Sequence, residues 1–344
     1  MTTSLEGLDL NALDRHLRSV GVARSGELRA ELISGGRSNL TFLVFDDASK
    51  WVLRRPPLHG LTPSAHDMAR EYKVVAALQD TPVPVARAVT MLNDDSVLGA
   101  PFQMVEHVPG RVVRYDDELE KLGDKALISD SVDALIRVLA DLHAVDPGAV
   151  GLGDFGKPTG YLERQVRRWG GQWELVRREG DPCDTDVKRL HSALAEAIPP
   201  QSRSSIVHGD YRIDNTILDA QDATRVVAVL DWEMSTLGDP LSDAALMCVY
   251  RHPVFNLIHA SSAWASPLIP EVDELANRYS VAAGQSLDNW DFYMALGYFK
   301  VAIIAAGIAF RARMGGGVAA DTDAVDQAVA PLIAEGLSAL SPRV

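Results

Sequence analysis

The chain of 344 residues carries 33 Lys and Arg against 47 Asp and Glu, a formal net charge of −14. Apolar residues make up 47% and charged residues 23%, a globular composition with enough apolar surface to bury a core without covalent staples. Two cysteines, Cys183 and Cys248, exclude a disulfide scaffold and a four-thiolate metal site, and the acidic balance argues against nucleic-acid binding driven by counterion release.

Leu10, Leu13, Leu17 and Val20 recur at helical spacing, so residues 7–33 read as an amphipathic helix followed by a strand. Gly35-Gly36 precedes a run rich in strand formers, Leu40 to Phe45, and Trp51 to Arg54 makes a further short strand closed by Pro56-Pro57. Residues 66–79 take a helical pattern through Met68, Tyr72, Val75 and Leu78, and short strands are predicted near 86–92 and 101–108 before the Pro109-Gly110 break. Beyond that break the pattern becomes helical, first over 128–145, with Val132, Leu135, Ile136, Leu139 and Leu142 inward. A polar stretch dotted with Gly and Pro covers 146–185. Three strand signals cluster at 206–207, 216–218 and 226–230, and long helices fill 241–344.

The expected architecture is α+β: a small mostly-β lobe over residues 1–108 and a large mostly-α lobe over 109–344. Tyr293 to Phe310 imitates a membrane span, but its central Lys300 costs roughly 3 kcal/mol on insertion scales. A buried helix explains that run better, so no membrane association is expected. No basic region followed by an apolar one opens the chain, which predicts a cytoplasmic location with free thiols.

The strongest chemical signal is His208-Gly209-Asp210, with Asn215 five residues after the aspartate and Asp231 ending a later strand. Magnesium-assisted phosphoryl transfer needs one carboxylate to accept the attacking hydroxyl's proton, and an amide and a second carboxylate to hold Mg²⁺ on the phosphates. Mg²⁺ keeps several waters and takes few hard oxygen ligands, so this sparse set suffices. Taken singly, each residue reads equally well as a turn residue after a strand.

The order His208-Gly-Asp-x-x-x-x-Asn215 with Asp231-Trp232-Glu233 resembles the aminoglycoside phosphotransferase and choline kinase branch of the protein-kinase-like fold. The likeness continues through Leu237 to Asp243 and covers most of the chain. It is nearest the subgroup related to the kinase-like domain fused to some acyl-CoA dehydrogenases, on Leu53-Arg54-Arg55-Pro56-Pro57, Ala65-His66-Asp67 and Gly160 to Gln165. The resemblance implies a two-lobed kinase-like fold with ATP, or GTP as the alternative, and Mg²⁺ between the lobes, and a small-molecule hydroxyl as acceptor. It assigns Asp210 as base, Asn215 and Asp231 as metal ligands, and the loop with Ser38 and Asn39 as a phosphate cover. Arg54 stands where a kinase strand carries lysine, with Glu71 as its ion-pair partner, and adenine would meet backbone at Glu106 and Val108.

His208 reads as a loop-ordering residue, Asp239 and Asp243 as loop anchoring and helix N-capping respectively, and Glu233 as a residue that could meet metal or substrate. Three alternatives stay open: an antibiotic-modifying kinase, a kinase of hydroxyacyl-CoA or hydroxy acids, and an inactive nucleotide-binding regulator, which the missing strand lysine would favour. Protein kinase activity is disfavoured because no Ala-Pro-Glu segment follows residue 231. Gly151 to Lys157 spells a P-loop pattern, but Pro158 replaces the hydroxyl that would bind Mg²⁺ and a helical stretch precedes it. Gly315-Gly316-Gly317 reads as a helix stop. Oligomeric state has no sequence signature here.

Overall fold

The computed structural model describes residues 5–34, 39–58, 67–315 and 322–341. Contacts divide the chain into two compact units, Met1–Pro109 with Val227–Ser235, and Gly110–Val226 with Thr236–Val344.

In the first unit, helix α1 (Leu10–Ser19) precedes strands β1 (Arg29–Ser34), β2 (Leu40–Phe45) and β3 (Lys50–Arg55), helix α2 (Met68–Leu78), and strands β4 (Ala88–Leu92) and β5 (Phe102–Glu106). The five strands form one antiparallel sheet in the order β1-β2-β3-β5-β4. Period-two alternation sorts β3 cleanly: Trp51, Leu53 and Arg55 are buried, while Val52 and Arg54 are half-buried on the opposite face. Leu13 and Leu17 of α1 join Phe42, Val44, Trp51, Leu53, Phe102 and Met104 in one core. Val20, expected on the inward stripe of that helix, lies past its end and is exposed. Asp67 caps α2, accepting from the Arg70 N–H at 2.9 Å.

Arg55 ends the core face of β3 as a buried charge, 4% exposed. Its guanidinium donates to the carbonyls of Gly7, Leu98 (3.0 Å) and Pro56 (3.4 Å), which satisfies it inside the unit.

The second unit is helical. It contains α3 (Asp116–Glu120), α4 (Lys125–Ala144), α5 (Tyr161–Val176) and α6 (Asp184–Glu196), then the short strands β6 (Ser205–Val207) and β7 (Thr216–Leu218). Strand β8 (Val226–Val229) leads into the 227–235 segment of the first unit, and β9 (Thr236–Gly238) returns to pair with β6. Helices α7 (Pro240–Val249), α8 (Phe255–Ile258), α9 (Val272–Ala283), α10 (Trp290–Arg313), α11 (Thr322–Gln327) and α12 (Val329–Ala339) complete it.

The polar stretch around 146–185 contains a helix that Gly170-Gly171 disguised. Helix α5 buries Tyr161, Leu162, Val166, Trp169, Trp173 and Val176 at three- and four-residue spacings. A Cβ on Gly170 would lie 2.4 Å from His191 Nε2, so close packing on α6 explains the glycine. Residues Gly151 to Lys157 form turns rather than a strand-to-helix loop, and Gly315 follows α10 with a positive φ of 73°. Gly316 and Gly317 lie outside the described residues.

Helix α10 is the one helix among the described residues long and apolar enough to cross a membrane, yet 83% of its apolar window is buried inside the protein. It is the core helix of the second unit, packed by α5, α6, α7, α11 and α12. Both cysteines are free thiols, with Cys248 buried in α7.

Candidate active site

In the first unit, sheet register builds a polar cluster. Arg54 on β3 lies opposite Gln103 on β5, so the two side chains share a face and reach the same carboxylate on α2. Arg54 Nη1 donates to Glu71 Oε2 at 2.8 Å, and Gln103 Nε2 donates to the same oxygen at 2.7 Å. Glu71 is 3% exposed. Burial pushes its carboxyl above the usual value, and nearby Asp231 adds to that, against the opposing pull of Arg54 and Gln103.

Asp231 lies 3.7 Å from Arg54 Nη2. Its φ of 61° is a left-handed conformation rare for a residue with a side chain, a strain of order 1–3 kcal/mol that recurs at functional sites. Trp232 Nε1 donates to the Val229 carbonyl at 3.1 Å and holds the turn. Asp231 Oδ1 and Glu71 Oε1 are buried without hydrogen-bond partners among the described residues.

Glu106 ends β5, with its N–H given to the Arg87 carbonyl at 2.8 Å, and His107 N–H goes to Lys50 at 3.0 Å on the other side. Extended peptides alternate sides, which leaves the Glu106 carbonyl directed away from β3. Asn39 is buried at the start of β2. Ser38 lies outside the described residues.

In the second unit, β6 delivers His208-Gly209-Asp210 into a loop fastened from several sides. Asp243 on α7 accepts the N–H of His208 at 2.6 Å and of Gly209 at 2.8 Å. His143 Nε2 lies 3.3 Å from the same carboxylate. Gly209 adopts φ +85°, which a side chain would resist. His208, fully buried, accepts the Asp210 N–H on Nδ1 at 3.2 Å. Asp239 anchors a loop as expected, accepting the Ser202 N–H and hydroxyl at 2.7 Å, but it also caps α7 by accepting the Leu241 N–H at 3.0 Å, so Asp243 is not the N-cap and anchors the His208-Gly209 loop instead. The cap falls directly before Pro240, where the helix begins, which leaves Asp243 inside the first turn and free to turn towards the loop.

Asn215 Nδ2 donates to the Asp210 carbonyl at 2.7 Å and to its Oδ2 at 2.9 Å. This pairing fixes the Asp210 rotamer and directs the Asn215 amide oxygen elsewhere. Arg212 approaches both Asp210 oxygens, at 3.4 and 3.5 Å, and pairs with Asp214. Its guanidinium lies 5.4 Å from the ring centres of both Tyr250 and Phe255. Burial alone would raise the Asp210 carboxyl, but Arg212, a hydrogen bond from Tyr250 and His208 outweigh it and hold the group below the usual carboxylate range. Asp210 is therefore an anion at neutral pH.

Sequence reasoning missed Arg212 and Lys300. Arg212 lies inside the motif but matched no kinase role, and Lys300 read only as a misplaced charge in an apolar run.

Among the described residues no group of three or more His, Cys, Asp or Glu is arranged to hold a metal ion. A sparsely ligated Mg²⁺ remains compatible, because it needs only one or two protein oxygens beside phosphate and water. Asp231, in the first unit, and Asn215, in the second, each carry a hard oxygen donor of that kind.

The antiparallel sheet unit and the helical unit with a His-Gly-Asp loop define a kinase-like phosphotransferase fold. The sequence profile of the phosphotransferase enzyme family matches residues 29–295, and the chain belongs to that family. A solved structure from Ralstonia eutropha named as an aminoglycoside phosphotransferase is 32% identical, with a TM-score of 0.81 over 96% of this chain and 98% of that one. Acyl-CoA dehydrogenase family member 11 of Pongo abelii is 35% identical over 338 residues, 96% of this chain but 42% of that protein. The chain thus spans less than half the length of that relative. An aminoglycoside phosphotransferase mutant in ternary complex with ADP and hygromycin B shares the fold alone, at 14% identity and a TM-score of 0.61.

Proposed function

We propose that the protein transfers the γ-phosphoryl group of ATP to a hydroxyl of a small molecule, with Mg²⁺, and that Asp210 is the base. The observation that carries this reading is the Asp210–Asn215 pair, in which one amide locks the carboxylate while its oxygen remains directed elsewhere. Mg²⁺·ATP supplies the phosphoryl group and the charge neutralisation that a loose transition state requires.

Asp210, held as an anion, accepts the hydrogen bond of the acceptor hydroxyl and aligns its oxygen; the proton moves to the carboxylate as the oxygen–phosphorus bond forms and the γ-phosphorus bond to the bridging oxygen breaks, releasing ADP. Asn215 and Asp231 would hold the metal, and their hard oxygen donors fit that role. Arg54 would bind phosphate while Glu71 and Gln103 keep its guanidinium in place. Arginine suits phosphate because its planar fork donates bidentately. Asn39 and Ser38 would cover the phosphates, and adenine would meet the Glu106 carbonyl and the Val108 N–H.

Hydroxy acids or hydroxyacyl-CoA are the acceptors favoured within this reading, on the relationship to the acyl-CoA dehydrogenase family member 11 chains. The inactive-regulator reading loses support, since Arg54 forms the ion pair that the missing lysine would have made.

Two measurements test the proposal. Millimolar Mg²⁺·ATP or Mg²⁺·GTP should raise the melting temperature by mass action, and no shift with either overturns the nucleotide reading. Nucleotide consumption is then screened against hydroxy acids, hydroxyacyl-CoA and aminoglycosides. Turnover with aminoglycosides alone would reverse the acceptor assignment.

A further inference from the structure

Gly209 is held between two buried charges of opposite sign, one on the peptide before it and one on the peptide after it. On one side Asp243 accepts the Gly209 N–H at 2.8 Å. On the other, Lys300 Nζ of α10 donates to the Gly209 carbonyl at 2.8 Å. Lys300 is only 9% exposed, and its amine lies 5.8 Å from the centre of the Trp169 ring on α5. A buried ammonium is costly unless something else requires it, and a carbonyl alone could have been satisfied by a neutral donor.

We propose that Lys300 is a positioning residue for the phosphoryl transfer proposed above: its ammonium fixes the Gly209 carbonyl and so sets the peptide that presents Asp210. This inference rests on Asp210 being the base. Gly209 has the freest backbone in the loop, so its φ of +85° needs an external hold to stay fixed. Asp243 supplies that hold at the N–H and Lys300 at the carbonyl.

The arrangement also predicts a pH response. The charged groups that act on the amine are Asp210 on the loop, Asp243 on α7 and Arg168 on α5, and Tyr161 of α5 and Tyr293 of α10 line the same small cavity. Burial brings the amine down from 10.5 to about 8, against the pull of Asp210 and Asp243 and with a small push from Arg168. Burial raises both tyrosine hydroxyls, so they stay neutral in that range. Above about pH 8 the native amine loses its proton while the unfolded chain keeps it to about 10.5. Unfolding then takes up a proton, so this group penalises the native state fully below about pH 8 and less as pH rises to 10.5.

The test compares wild type, Lys300→Met and Lys300→Arg from pH 6 to 10.5. Three quantities are read: the Mg²⁺·ATP-induced melting shift, phosphoryl transfer to the best acceptor from the screen or to water, and hydrogen exchange of the 205–215 segment. Lys300→Met should bind Mg²⁺·ATP within a few-fold of wild type, exchange faster at the loop, and turn over at least tenfold more slowly at pH 7. Wild-type turnover should fall above about pH 8, and Lys300→Arg should retain activity there because guanidinium stays charged. The melting-temperature advantage of Lys300→Met over wild type should shrink between pH 8 and 10.5. Equal turnover at pH 7, or superimposable pH profiles, overturns the proposal. If wild type transfers phosphate to nothing, the functional reading fails instead. Loop exchange and the pH slope of stability then decide Lys300 alone, and no difference from Lys300→Met in either overturns its role.

Discussion

Arg54 and Arg55 are adjacent in sequence and should fail in opposite ways. Arg55→Ala leaves the buried carbonyls of Gly7 and Leu98 without their guanidinium donor. Each unmatched buried acceptor costs roughly 1–3 kcal/mol, so the pair loses about 2–6 kcal/mol. Relief of the buried charge, which burial already disfavours, offsets part of this and leaves about 3 kcal/mol. That is a large share of the roughly 5–15 kcal/mol that holds a native protein together. Arg54→Ala removes a side chain that is 26% exposed, while Glu71 keeps its Gln103 partner and can take up a proton. Its stability cost should stay near 1 kcal/mol or below once solvent screening is allowed for. Losing a charge-assisted phosphate contact of about 1.5–3 kcal/mol should instead weaken Mg²⁺·ATP binding roughly ten- to a hundredfold. Urea unfolding and the Mg²⁺·ATP melting shift, measured on both variants, separate the two effects. If Arg54→Ala unfolds the protein while Arg55→Ala only weakens nucleotide binding, the register of β3 is wrong by one residue.

Asp210→Asn keeps the side-chain shape and should cut turnover about 10²–10⁴-fold, the usual contribution of a general base, with Mg²⁺·ATP affinity within a few-fold. Asp231→Asn should weaken Mg²⁺-dependent nucleotide binding as well, and the opposite pattern in a binding assay with and without Mg²⁺ would exchange the two roles. Asp243→Asn places an amide donor against backbone N–H groups in the core and should cost about 3–5 kcal/mol in urea unfolding; a cost below about 1 kcal/mol would show that the loop does not depend on this anchor. Because burial raises the Glu71 carboxyl, the native protein holds a proton there that the unfolded chain releases from its ordinary value of 4.5. Stability from this group therefore falls as pH rises from 4.5 through the folded value, and Glu71→Gln should remove that slope; parallel curves for the two proteins would refute the assignment.

The kinase-like fold was legible because its signals are local: alternation on β3, and a His-Gly-Asp run of fixed spacing to Asn215. Alternation alone separates Arg54 from Arg55, since period two leaves no third choice. It could not tell that Arg55 is buried, because the carbonyls that receive it lie 48 and 43 residues away. Helix α5 escaped because consecutive glycines normally break a helix, and only the proximity of His191 explains Gly170. Asp243 read as an N-cap because it lies in the first turn of the same helix that Asp239 caps, and only tertiary contact with His208 and Gly209 reveals its anchoring role. Lys300 was visible as a lone charge in an apolar run, but its carbonyl partner is 91 residues distant.

The first unit is discontinuous, and this governs when it can be completed during synthesis. Val229 N–H bonds the Pro84 carbonyl at 2.8 Å, and Arg70 Nη2 bonds the Ser235 carbonyl at 2.9 Å. Neither bond, nor the approach of Asp231 to Arg54, can form until residues 227–235 have left the ribosome. At about 5–20 residues per second, the intervening chain takes on the order of ten seconds to emerge. Throughout that interval the nascent sheet carries Glu71 and Arg54 without their third partner, so ribosome-bound chains ending near residue 200 should be more protease-sensitive at α2 than chains ending beyond 270.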